Sequence, residues 1–316
     1  MSGALKNIII AGANGSVGAP ILSVLLAEPS FTVTILSRAS SSAKFPSGIP
    51  VKQISDAYTF DELKEAFADQ DAVVVALSTT PVTKDDLAFR IIDAAVAAGV
   101  KRLIPSEFGT NNLDPRARSL VPVYDLKGKM LEYLIKRAEE SKGALTWTSI
   151  SCGSWLDWGL NPAKSGNFLN IDVKTRKATL WDSGLSRFAV TTSANTGLAV
   201  AKALLNPELT ANKQVFLSDF VTTSREIVDS LEKQLGEKFS IEKKESAPVI
   251  EELRGKYEGG DFNATYGLLA LSFVADMDVG YDFEKEQEVW NGKLGLPRRT
   301  LDEVVREAIE LAKSTP

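Results

Sequence analysis

Apolar and polar positions along the first half of the chain fall into alternating strand-like and helix-like blocks. The run KNIIIA (6–11) predicts a strand buried on both faces, and an apolar helical segment over 21–26 follows it. FTVTIL (31–36), rich in β-branched residues, predicts a second strand, and VKQI (51–54) a short third. In TFDE, Thr59 and Glu62 form a capping box that opens a helix toward Phe67. AVVVAL (72–77) predicts a fourth, fully buried strand. A helix over 87–98 ends at Gly99, before a fifth strand in KRLIP (101–105). A further helix over 125–139 leads to a sixth strand in LTWTSI (145–150). This alternation predicts an α/β fold with a mostly parallel sheet and right-handed crossovers.

The second half is less regular. It offers short strands in NIDV (170–173), KATLW (177–181) and QVFLS (214–218), the last able to return to the main sheet, and a helix over 198–205. Two more capping boxes stand at Thr223/Glu226, closed by Gly236, and at Thr300/Glu303. The expected organisation is a nucleotide-binding domain of 1–155 with 191–219. A smaller, more helical α/β substrate-side domain, 156–190 with 220–316, is partly interleaved with it.

Composition narrows the chemistry. With 44% hydrophobic and 24% charged residues the chain is globular rather than generally disordered. The net charge of -5 gives no electrostatic case for nucleic acid or an acidic membrane surface. A single cysteine precludes an internal disulfide and cysteine-rich metal sites, and the absence of histidine removes Ser-His-Asp, Cys-His and imidazole-metal chemistry. No apolar run reaches the roughly 18 residues of a spanning helix, and the start lacks signal-peptide features. A cytoplasmic protein without metal, membrane or direct nucleic-acid partners is expected.

The sharpest motif is GANGSVG (12–18), between a predicted strand and a predicted helix. Gly12 suits a tight turn, Gly15 a close approach to pyrophosphate and Gly18 helix–sheet packing, with Asn14, Ser16 and Val17 completing a Rossmann-like phosphate loop. A merely structural glycine turn is the alternative. At the end of the second strand, where NAD sites usually place a carboxylate, stand Ser37 and Arg38, with Lys44 shortly after. A guanidinium fork there suits a 2′-phosphate and favours NADP(H), unless Arg38 and Lys44 are solvated loop charges. Ser78 and Thr79 after the fourth strand, and Ser106, Glu107 and Phe108 after the fifth, lie at the edge where open α/β sheets bind ligands. Phe108 could pack on nicotinamide, and Glu107 could fix the loop or be purely structural. Cys152, Gly153, Trp155 and Trp158 are candidates to line a substrate pocket.

The glycine loop, the SR pair at 37–38, VKRLIPSEFGTN (100–111), YDLKGKMLEYL (124–134) and TSISCGSWLDW (148–158) together resemble the NmrA-like, isoflavone reductase-like branch of atypical short-chain dehydrogenases. TTSANTGLAVAKALLNPE and KQVFLSD match more loosely, and WLDW leans toward fungal members. The resemblance implies an NADPH-dependent reductase of an aromatic or conjugated carbonyl, enone or benzylic substrate. It assigns Lys127 as the catalytic lysine, beside the cofactor, where periodicity alone reads a surface lysine. Tyr124, three residues earlier on the same helix face, is either a substrate contact or packing. Two other readings stay open, a non-catalytic NAD(P)-binding redox sensor or transcriptional regulator and a quinone reductase. Monomer and homodimer are equally compatible with the sequence.

Overall fold

The computed structural model describes residues 4–83 and 85–314. The chain forms two compact units. The first runs up to Phe108 and takes in Leu126–Ser151 and Ala194–Val215; the second holds Gly109–Asp125, Cys152–Ser193 and the chain from Phe216 onward.

In the first unit, β1 (Asn7–Ala11), β2 (Thr32–Arg38), β3 (Val51–Ile54), β4 (Ala72–Val75), β5 (Arg102–Ile104) and β6 (Thr146–Ser151) build a seven-stranded sheet with a last strand, Lys213–Phe216. From one edge to the other the order is Lys213–Phe216, β6, β5, β4, β1, β2, β3. The pairings from β3 through β6 are all parallel; Ile9, for example, sits between Thr34 and Val73. Ile8, Ile9 and Ile10 are each 0% exposed, as continuous apolar strands are when helices cover both faces. Because the chain goes from β1 outward to β3 and then returns to β4 on the other side, strand order reverses between β1 and β4. A crevice opens at such a reversal, beyond the carboxyl ends of the strands.

Two helices matter most for that edge. α1 (Gly18–Ala27) follows the glycine loop, and α2 (Phe60–Phe67) opens with the capping box expected from TFDE, Thr59 and Glu62 satisfying each other's backbone N–H groups. The helix Leu87–Ala97 follows β4, and the helix Pro122–Glu140 begins three residues before its expected start, with proline in its first turn.

The second unit has a three-stranded sheet, Ser240–Lys244, Lys177–Trp181 and Ile171–Asp172, and an antiparallel pair, Phe188–Val190 with Phe220–Thr222. Helices including Ser224–Leu235 and Leu301–Ser314 enclose a core of Leu156, Leu180, Phe188, Ile227, Leu268 and Val304. This unit is about as long as the first, rather than smaller. Residues 109–125, expected with the nucleotide-binding part, belong to it because their side chains are tied there: Arg116 donates to Asp278 Oδ1 at 2.8 Å and to Glu286 Oε2 at 3.0 Å. Among the described residues no helix is long and apolar enough to cross a membrane.

Candidate functional site

The chain leaves β1 through Gly12 at φ +83°, and a Cβ there would stand 2.3 Å from the carbonyl oxygen of Ala76, at the end of β4. A Cβ on Gly18 would stand 2.0 Å from Gly12 O, so both positions exclude any side chain on the chain's own account. Gly15 differs. Its nearest neighbour would be Gly12 O at 3.4 Å, and it is exposed on a cleft. The fold therefore does not demand this glycine, whereas a ligand pressed against the backbone would. The loop is closed by Gly15 N–H donating to Gly12 O at 3.1 Å and Ala19 N–H to Gly15 O at 2.9 Å. α1 starts with no side-chain cap and no acidic residue in its first turn, which suits its amide groups and dipole to an anion.

The cleft holds about 530 Å³ and is bounded by Gly12, Asn14, Gly15, Ser37, Arg38 and Ser78 among the residues singled out from the sequence. Ser16 and Val17 lead into α1 and, with the buried Gly18, lie outside its lining; so do Thr79, at the start of the helix Thr79–Val82, and the exposed Lys44, whose neighbour Phe45 takes its place.

Another part of the cleft wall is not evident in the sequence. Asp56, Ala57 and Tyr58, just past β3, and Arg90, in the helix Leu87–Ala97, complete it. Asp56 Oδ1 lies 3.8 Å from Arg38 Nε, both side chains being about half exposed, and accepts a hydrogen bond from Ser40 Oγ at 2.7 Å. A carboxylate thus approaches Arg38 from just past β3, although none stands at the end of β2. Burial pushes the Tyr58 phenol up from its usual range; the nearby Arg38 cation pulls it down, and Asp56 pushes it up. The Thr59/Glu62 capping box was the one local signal beside this wall.

Behind β4 and β5 the edge is tied together. Ser106 Oγ donates to the carbonyl of Leu77, a cleft residue, at 2.7 Å. Glu107 is 2% exposed and its N–H donates to Pro105 O at 2.8 Å, while Phe108 is 9% exposed at φ +30°. Lys127, from the helix Pro122–Glu140, is 9% exposed and its Nζ donates to Glu107 O at 3.0 Å. The lysine is thus buried against the SEF turn of the first unit rather than free on a helix surface.

In the second unit, Tyr124 is 3% exposed and its hydroxyl pairs with that of Tyr281, which donates to Ser272 Oγ at 3.0 Å. Burial holds the Tyr124 phenol well above its ordinary pKa, so it stays protonated at any working pH. Tyr281 was not singled out from the sequence. Cys152 is fully buried; Gly153 N–H donates to Gly109 O at 2.9 Å. Trp155 and Trp158 are half-buried, and Trp158 lies 5.6 Å from Phe168, ring centre to ring centre, with its Nε1 buried and unpartnered among the described residues.

An NAD(P)H-binding family matches residues 12–178 of the chain. The oxidoreductase aprR of Aspergillus flavus is 34% identical over 309 residues, 96% of this chain and 98% of that protein. The NmrA-like family domain-containing oxidoreductase lnbB of the same fungus is 26% identical over 256 residues, 74% of this chain and 75% of that one. The solved structure of AtPrR2 with NADP+ and (+)pinoresinol has the same fold, with a TM-score of 0.71 at 18% identity over 96% of this chain and 99% of that one.

Proposed function

The chain belongs to the NAD(P)H-binding oxidoreductases, and from that premise we propose that it is an NmrA-like, isoflavone reductase-like NADPH-dependent reductase of an aromatic or conjugated carbonyl, enone or benzylic substrate. The observation that carries the cofactor choice is Arg38. Its guanidinium stands on the same cleft as the glycine loop, at the end of β2, where the adenosine ribose of a dinucleotide lies in this architecture. Gly12, Asn14 and Gly15, with the amides of Ser16, Val17 and Gly18, hold the pyrophosphate. Arg38 receives the 2′-phosphate, Lys44 adds charge from outside the cleft, and Ser78 and Thr79 border the cofactor from the β4 side.

Bound NADPH supplies the hydride. The chain supplies the proton and the placement. Lys127, anchored on Glu107 O, is the residue we assign to proton transfer or to orientation of the substrate oxygen. Phe108 gives the nicotinamide an apolar face, and Glu107 keeps the turn in shape. Trp155 and Trp158 are the aromatic residues we assign to the substrate, offering rigid apolar area. Cys152 and Gly153 shape the backbone there, and Tyr124 supports them from the core. AtPrR2, which has this fold, is solved with NADP+ and (+)pinoresinol, in keeping with that reading.

The test is NADPH oxidation by the purified protein across a panel of phenolic enones, benzylic ethers and quinones. Turnover with enones or ethers is the expected result. Turnover with quinones alone would make the chain a quinone reductase, and tight NADPH binding without oxidation of any panel member would make it a sensor.

A further inference from the structure

The wall of the cleft formed by Asp56, Ala57 and Tyr58 is held from behind by two side chains. On one side, Glu62 at the start of α2 accepts from Ser55 N at 2.9 Å, Ser55 Oγ at 2.6 Å, Thr59 N at 3.2 Å and Thr59 Oγ1 at 2.7 Å. The Ser55 and Thr59 side chains, donating to its carboxylate, bring the Glu62 pKa down to about 2, so the clasp stays charged at any ordinary pH. On the other side, Arg90 donates from Nη1 to Ala57 O at 2.9 Å and Tyr58 O at 3.0 Å, and from Nη2 to Asp85 O at 2.6 Å. Between the two clasps Tyr58 sits at φ +47°, a left-handed conformation that a bulky residue adopts only when its surroundings impose it.

We infer that Arg90 is a positioning residue for the adenosine half of the cofactor. Its guanidinium joins the 56–58 wall to Asp85, and all of these residues line the cleft. Three of its N–H groups are committed to backbone carbonyls, so it shapes the wall rather than acting as a second phosphate ligand. A planar fork with five donors can bridge two loops in this way; a lysine ammonium, a point charge on a flexible stem, cannot. The inference rests on the reading that the Arg38 end of the cleft takes the adenosine half.

The experiment measures the affinity of 2′,5′-ADP for the whole protein and for Arg90→Lys, Arg90→Met and Glu62→Gln, at low and high salt, with melting temperature read alongside. Both Arg90 variants are expected to bind about tenfold more weakly, by the same factor at both salt concentrations, and Glu62→Gln to weaken in the same direction. A lysine variant that binds like the parent, or a loss that disappears at high salt, would show that only charge matters and overturn the inference. Should the Arg90 variants not fold, unchanged binding by a folded Glu62→Gln would overturn it equally. If the unaltered protein itself fails to bind 2′,5′-ADP, the cofactor reading falls and takes this inference with it. Binding by the parent with unchanged variants removes the Arg90 role alone.

Discussion

Replacing Lys127 by alanine is expected to lower turnover by about 10²–10⁴-fold, the usual worth of a placed general acid or base, with NADPH affinity nearly unchanged. The chain has no histidine to share the work, so proton transfer falls to lysine, tyrosine, a carboxylate or water. Tyr124 is locked as a phenol in the core of the second unit, bonded to Tyr281. Lys127 differs: its Nζ donates to the carbonyl of Glu107, a few residues past the end of β5. Lys127→Arg separates the two roles. Arginine keeps the charge but cannot give up its proton, so the variant should be as slow as Lys127→Ala if transfer is the role. Steady-state kinetics with the best panel substrate and equilibrium NADPH titration check both. Unchanged turnover in Lys127→Ala would remove the residue from the chemistry.

Arg38→Ala is expected to weaken NADPH by about 1.5–3 kcal/mol, roughly ten- to a hundredfold, and NADH far less. The magnitude follows from what Arg38 gives up to bind the phosphate. Among the described residues its ion-pair partner is Asp56 at 3.8 Å, with both side chains about half exposed, and such a pair is worth about 0–1 kcal/mol. A charge-assisted bond to phosphate is stronger than that, so the guanidinium is available to the ligand at little cost. Titration of the parent and the variant with both dinucleotides provides the check, and equal weakening of the two would argue against a 2′-phosphate role.

Features set by local physics were legible in the sequence. The capping boxes at Thr59/Glu62 and Thr223/Glu226 are both present, the second helix closing at Gly236 with φ +69°, because a cap is a contact between residues three apart. The strand at 51–54 and the buried run of β1 follow from apolar pattern in the same way. What escaped is non-local or unpatterned. The strand Ser240–Lys244 pairs through its backbone with Lys177–Trp181 while its side chains are mostly exposed, so no hydrophobic period marks it. Arg102, in the predicted strand KRLIP, is 1% exposed and bonded to three threonine hydroxyls and the carbonyl of Pro207, none of them near it in the chain. The glycine loop and Arg38 announce one side of the cleft. Another part of its wall, Asp56 to Tyr58 with Arg90, is assembled from segments over thirty residues apart, and nothing in either segment alone names a ligand.

The central claim, that one edge of the sheet binds NADP(H) and presents Lys127 to the reacting end, is tested most directly by a crystal structure of the protein soaked with NADP+. The expected structure has the pyrophosphate on the amides of the glycine loop, the 2′-phosphate on Arg38, and the nicotinamide ring against Phe108 with Lys127 Nζ facing it. A nicotinamide bound away from Phe108, with Lys127 sealed from the ring, would contradict it.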